Sequence, residues 1–422
     1  MSRRATGGSS GPVSSLGRAS GIVLVGNGLG FAVLLVSTPI VARLYPPEVY
    51  GEFAAILATA SIFIGFSTLR LEILAQAAAD LDESARLSGN ALVFSLTLAI
   101  VSSLGAIGLH LVLERPLIWA VGGLIILLGS LQLVGSAIMA RRRKYLELAA
   151  ASFFQQGGTG VFQAILGTFG SGTLGLIGGF CMARVVWLIP IGTQLRNGID
   201  QFRIRSEILA KGRLAGGSAL INSVGGQVIV LIPAAVYGAL YAGLAAMAVR
   251  LLVSPLSLVS TSIASASIGE VGRALREGRA IEAATSVRGG VSILAALGAL
   301  PCGVILFAGG DVFAWALGDQ WRSAGDIASA MALGAWAQFA IVPFSQVLNL
   351  AGASGSLLRW DIARIIILTV SLSLPLLPNV APVVGFWAYS ASQVALYGYL
   401  YKVITKSLKR AAGDSTPREL EL

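Results

Sequence analysis

About twelve apolar stretches, each of roughly twenty or more residues, follow one another from Ala19 to Thr405 with only short polar links between them. That pattern leaves a chain few options. A bilayer core of ~30 Å takes about twenty apolar residues per helix, and a helix satisfies its own backbone where no water can. The sequence therefore predicts an all-α, polytopic membrane protein with little mass outside the bilayer. Any function must be performed among its helices.

Composition supports this reading. Hydrophobic residues make up 55% and charged residues 12% of the 422, about half the charge usual in soluble domains. The two cysteines, Cys181 and Cys302, both fall inside expected spans, and no CxxC or Cys/His cluster accompanies them. Neither a disulfide framework nor a metal site is expected, and no cofactor is called for. The lone histidine, His110, sits near a helix end and reads as incidental. The first apolar run is too long for a signal-peptide core, so it is expected to stay as the first span.

Twelve spans are predicted: 19–44, 51–78, 87–112, 116–140, 145–169, 173–195, 214–237, 240–268, 286–309, 324–350, 357–378 and 382–405. Residues 1–18 read as a disordered, Gly/Ser/Arg-rich terminus and 406–422 as a polar tail. Placing the N-terminus in the cytoplasm puts about 23 of the Lys and Arg residues inside. Only Arg43, Arg115 and Arg322 then lie in outer links. This asymmetry holds at alternate links and predicts that both ends are cytoplasmic. The net charge of +10 thus reads as a topology signal facing anionic membrane lipids, and nucleic acid is not an expected partner.

A weak internal duplication is visible. Asn27, Pro39 and Tyr50-Gly-Glu-Phe-Ala recur in order as Asn222, Pro233 and Tyr241-Ala-Gly-Leu-Ala. Both candidate repeats begin inside, which predicts two six-helix bundles related by an axis along the membrane normal, at 19–195 and 214–405. The basic segment 196–213 would link them. Transporters built from such halves bind cargo where the halves meet.

Charges deep in the spans point to chemistry, since one at the bilayer centre costs at least ~2.5 kcal/mol and needs a wet cavity or a partner. Arg184 and Arg250 fall near the middle of spans six and eight. Arg70 and Glu72 lie toward the inner end of span two and point to different helix faces, so no direct pair is expected. Asp361 and Arg364 are spaced as a same-face pair and read as a helix-end salt bridge. Asn27, Asn222, Gln227, Gln338 and Gln346 add groups that can bind sugar hydroxyls or join helices. As a set they suit a polar, anionic, hydroxyl-rich cargo. Glu72 and Asp361 are the internal carboxylates available for coupling to H+ or Na+. Pro39, Pro190, Pro233, Pro255, Pro301 and Pro343 are candidate bending points.

The chain has no GxxxxGK[ST] loop, so P-loop ATP hydrolysis is not expected. No nucleophile triad is evident, and the longest outer link, about 310–323, is too short for a catalytic domain. The reading is a transporter, not an enzyme.

Arg43-Leu-Tyr-Pro-Pro-Glu-Val-Tyr-Gly-Glu-Phe, Val249-Arg-Leu-Leu-Val-Ser-Pro-Leu-Ser-Leu-Val, Leu317-Gly-Asp-Gln-Trp-Arg-Ser-Ala-Gly and Leu358-Arg-Trp-Asp-Ile-Ala-Arg occur in that order. With these, residues 16–405 resemble the polysaccharide flippases of the multidrug/oligosaccharidyl-lipid/polysaccharide exporter superfamily. The resemblance implies two six-helix bundles forming a V around a central cavity. It implies alternating access and an oligosaccharide cargo on undecaprenyl pyrophosphate, moved to the outer leaflet of a bacterial inner membrane. Polysaccharide polymerase and chain-length proteins would be the partners. A multidrug or metabolite antiporter of the same superfamily, or an embedded glycan polymerase or ligase, are the alternatives. An exporter of cations should carry acidic midplane residues, whereas this chain carries basic ones.

Overall fold

The computed structural model describes residues 12–114, 116–192 and 206–413. It is all-helical among those residues. The first half comprises α1 (Pro12–Leu44), α2 (Pro47–Ser67), α3 (Leu71–Ala77), α4 (Leu81–Leu113), α5 (Gly122–Arg141), α6 (Tyr145–Gly167) and α7 (Gly172–Arg184). The second half comprises α8 (Ser206–Tyr237), α9 (Ala239–Ala248), α10 (Ser254–Arg276), α11 (Ala280–Leu317), α12 (Arg322–Ile341), α13 (Val347–Leu350), α14 (Ser354–Ser373) and α15 (Pro382–Gly413). Within the described residues, each expected span falls on one of these helices or on successive ones.

Among the described residues, nine helical segments are long and apolar enough to cross a membrane by length and composition. The expected spans outside that set, α6, α14 and α15, carry the glutamines of 155–163, the Asp361–Arg364 pair and Gln393. The helix surfaces that face away from neighbours are apolar. Leu111, Val112, Leu300, Phe307 and Trp315 are largely exposed, as expected where lipid is the solvent. The chain is a multi-pass membrane protein.

Several boundaries differ from expectation. α1 begins at Pro12 and α15 runs to Gly413, so both extend past the predicted spans, while residues 1–11 and 414–422 lie outside the described part. The link predicted at 196–213 lies outside it up to residue 205, and α8 has already begun at Ser206.

Small residues set the packing. In the first half α1 lies along α6, with Gly26 and Gly30 against the backbone of Ala149 and Phe153. In the second, Gly309 of α11 meets Gly325 of α12 backbone to backbone. Lipid supplies no hydrophobic drive between helices, so this close van der Waals approach and interhelical hydrogen bonds hold them together. Gln155 shows the second device. It donates to Gln132 at 2.8 Å and accepts from the Trp187 indole at 2.5 Å, joining three spans. Gln163 donates to the Leu176 carbonyl and the Tyr45 hydroxyl donates to the Gln163 carbonyl, both at 3.0 Å.

Two breaks in the helices matter for the site. Span two is interrupted at residues 68–70, where Leu69 and Arg70 have φ of 50° and 59°. Span eight is broken by a π-turn, Val249–Val253, just before Pro255. Proline cannot supply the amide that a regular helix needs there, and the widened turn accommodates the loss. Arg250 sits in that turn.

The two halves meet along α2, which packs on α8 and α9. The crossing is at Gly51 and Gly243. A Cβ on Gly51 would run into the Ala239 carbonyl, and one on Gly243 into that of Pro47. Only glycine lets these backbones approach so closely.

Candidate functional site

The inter-lobe hydrogen bonds and ring contacts described here cluster at one end of the molecule, which carries the links after α1, α8 and α11. The Trp321 indole and the Gln320 amide both donate to the Ala42 carbonyl, at 2.7 and 2.6 Å. Trp321 also stands edge-on to Tyr50, centroids 5.7 Å apart. Arg250, two turns or ~10 Å along its span from the Gly243 crossing, donates from Nη1 to the Tyr50 hydroxyl at 3.1 Å. Its Nε and Nη2 are buried with no hydrogen-bond partner. Unpaired donors of a charged group cost at least ~1–3 kcal/mol when buried, so this guanidinium is chemically unfinished.

Arg184 lies in the other lobe, at the end of α7. Its guanidinium stacks over the Phe180 ring at 3.4 Å and donates to the Phe180 carbonyl at 3.3 Å, while its Nε is buried and unpartnered. Phe180 stands edge-on to Phe53 at 6.1 Å, and Phe53 edge-on to Tyr50 at 5.9 Å. An aromatic series Phe180–Phe53–Tyr50 thus connects the two arginines. Both retain N–H groups directed at nothing in the protein, and both suit an anionic oxygen ligand.

The remaining expected residues divide. Arg70 does pair with Glu72, at 3.7 Å, contrary to the expectation from helical faces. The reason is the break at 68–70: with positive φ at Leu69 and Arg70, the face rule of a continuous helix does not apply. Glu72 is 4% exposed, and neither of its oxygens has a hydrogen bond. Asp361 and Arg364 form the expected same-face pair, at 3.5 Å. Gln338 lines a small cavity in the second lobe that also includes Arg364. Asn27 and Gln227 are half-buried and Asn222 is exposed. Gln346 is exposed and accepts from Asn349 at 2.9 Å. Among the described residues, no hydrogen bond joins these four polar residues to Arg250 or Tyr50.

Tyr50 is not among the expected site residues, although its Tyr-Gly-Glu-Phe segment stands out in the sequence. Its role depends on a partner two hundred residues away. Tyr389, Gln393 and Tyr397 are likewise absent from that set. Their spacing of four on α15 marks one polar helix face, a signal present in the sequence.

The profile of a family described as "Polysaccharide biosynthesis protein" matches residues 40–326, well over half of the chain. The chain belongs to the polysaccharide biosynthesis protein family. No curated protein matches it. Among solved structures, this family member is similar to an inward-facing multidrug resistance MATE family transporter of the MOP superfamily, with a TM-score of 0.64 and 14% identity over 92% of this chain and 96% of that one. A MATE in complex with MaL6 aligns at TM-score 0.60 and 13% identity, over 95% and 97% of the two chains. A MOP superfamily transporter from Pyrococcus furiosus, described as having a binding pocket of reverse polarity that suggests a different function, aligns at 0.57 and 14%, over 97% and 99%. At such identities the likeness establishes a shared fold. This polysaccharide biosynthesis protein has the two-bundle MATE architecture, with Arg250 beside the junction of the bundles.

Proposed function

We propose that this protein is a flippase that moves oligosaccharide repeat units on polyprenyl pyrophosphate from the cytoplasmic to the outer leaflet of a bacterial inner membrane. The units would feed a surface polymer such as lipopolysaccharide O-antigen or an exopolysaccharide, in concert with polysaccharide polymerase and chain-length proteins. The observation that carries this reading is Arg250. It is a cation at the lobe junction with two unpartnered nitrogens, and Arg184 is tied to it through Phe180, Phe53 and Tyr50. A pyrophosphate crossing an apolar core needs such countercharge, and guanidinium forks match its oxygens. The family membership supports the same cargo class.

The motion proposed is alternating access. With the basic links in the cytoplasm, the Gly51–Gly243 crossing closes the outer side and the cargo enters from within. Opening the Trp321–Ala42 and Arg250–Tyr50 contacts would release it outward. The polyprenyl tail would stay in lipid, in the gap between lobes. Glu72 and Asp361 are the carboxylates proposed for H+ or Na+ coupling.

The test is a flipping assay in inverted vesicles with a labelled polyprenyl-pyrophosphate oligosaccharide, comparing wild type with Arg184→Ala and Arg250→Ala. Wild type should move the lipid, and each variant should insert normally yet lose most of the flux. Flux unchanged in both variants would assign the arginines a structural role. No flux in wild type would turn the reading toward the antiporter.

A further inference from the structure

We infer that a cavity of about 80 Å³ inside the second lobe is a binding site for one anionic oxygen group, a carboxylate or a phosphate, of the transported glycolipid. The inference rests on the flippase reading for its cargo, but its site is separate from the lobe junction. The cavity lies among α8, the π-turn, α12, α14 and α15. Its polar walls are Arg364, Gln338, Tyr389, Gln393 and Tyr397.

These walls present donors in excess. The Arg364 Nε is buried and has no hydrogen bond. Asp361 approaches Nη2 at 3.5 Å, well beyond the ~2.7–2.9 Å of a charge-assisted bond, so it does not saturate the guanidinium. The Tyr397 hydroxyl, on a side chain only 1% exposed, lies beside the guanidinium but forms no hydrogen bond of acceptable geometry. Tyr389 accepts from the Gln393 amide at 2.6 Å, which leaves its own proton to give. The oxygen of Gln393 packs against Gly334. Arg364, Tyr389 and Tyr397, one of them charged, therefore bring N–H and O–H groups to the wall of one small volume.

The rest of the wall holds them in place. Trp360 lies under the Arg364 guanidinium at 5.1 Å and donates its own N–H to the Leu396 carbonyl at 3.0 Å. Gly225 leaves room for Nη2, which would be 2.7 Å from a Cβ there. The volume equals roughly two or three waters, enough for a carboxylate or phosphate group and too little for a sugar ring. Gly226, which also lines the cavity, is exposed. A uronic acid on the glycan and a phosphate of the lipid carrier are the two sources of such a group.

The test is calorimetry on the full-length protein in nanodiscs with glucuronate, inorganic phosphate and glucose as separate probes. Glucuronate or phosphate should bind at least about tenfold more tightly than glucose, and the winner names the source. Tyr397→Phe, which removes one hydroxyl and keeps the ring, should weaken that binding about tenfold at an unchanged melting temperature. Arg364→Gln should abolish it. Equal responses to the three probes, or full binding in Tyr397→Phe, would overturn the site. So would anion binding that survives Arg364→Gln and is lost in Arg250→Ala. Binding intact without flipping would count against the flippase reading alone, and flipping without binding against this pocket alone.

Discussion

The Tyr50 hydroxyl accepts a hydrogen bond from Arg250 at 3.1 Å, across two lobes and two hundred residues of sequence. It joins the start of span two to the π-turn of span eight, beneath the Gly51–Gly243 crossing. The same tyrosine touches Phe53 and Trp321. One side chain thus reports on whether the lobes are closed and on whether the cation beside them is engaged.

Tyr50→Phe keeps the ring contacts and deletes the acceptor. A hydrogen bond to a charged donor is worth ~1.5–3 kcal/mol, so the closed population should fall by about tenfold or more relative to the open one. Spin labels at Glu48→Cys and Ser323→Cys, both exposed on opposite lobes near this end, should show a longer distance gaining weight. An unchanged distance distribution would mean that the bond does not hold the closure.

Gly51→Ala and Gly243→Ala each drive a methyl into a facing backbone carbonyl, which cannot rotate away. Overpacking of this kind costs ~1–3 kcal/mol, and here it acts on the closed state alone. Both variants should favour the open form in the same spin-label measurement. Gly105→Ala in α4, with open space around it, serves as the control and should match wild type.

Glu72→Gln and Asp361→Asn separate the two proposed coupling sites. Each removes a carboxylate charge with little change in shape. If ions couple at Glu72, flux in Glu72→Gln vesicles should no longer respond to an imposed H+ or Na+ gradient, while Asp361→Asn still does. The opposite outcome would move coupling to the Arg364 side. A full response in both would exclude these carboxylates.

Gln155→Leu strips the shared partner from Gln132 and the Trp187 indole, leaving both polar groups unpaired among apolar neighbours. An orphaned buried group costs ~1–3 kcal/mol, so the melting temperature should drop clearly. Flux per folded molecule should be unchanged, because this network lies within one lobe.

Much of the fold was legible in advance. Hydropathy places spans one residue at a time, and a helix in lipid needs only its own backbone to form. What escaped was local or distant. The sequence places Arg70 and Glu72 on separate faces, because nothing in Phe66-Ser-Thr-Leu-Arg announces positive φ at Leu69 and Arg70. The glutamines of α6 look alike in sequence, and only their neighbours show that Gln155 and Gln163 join helices.

By itself the sequence determined the membrane class, the order of the spans and the rarity of charge inside them, because each follows from the cost of putting polar groups in hydrocarbon. Only the tertiary structure decided which of those charges remain unsatisfied. Arg250 finds one hydroxyl and Arg364 one distant carboxylate, and each keeps an Nε facing no partner. Whether a donor is paired depends on atoms brought within ~3 Å from remote parts of the chain, and no local pattern encodes that distance.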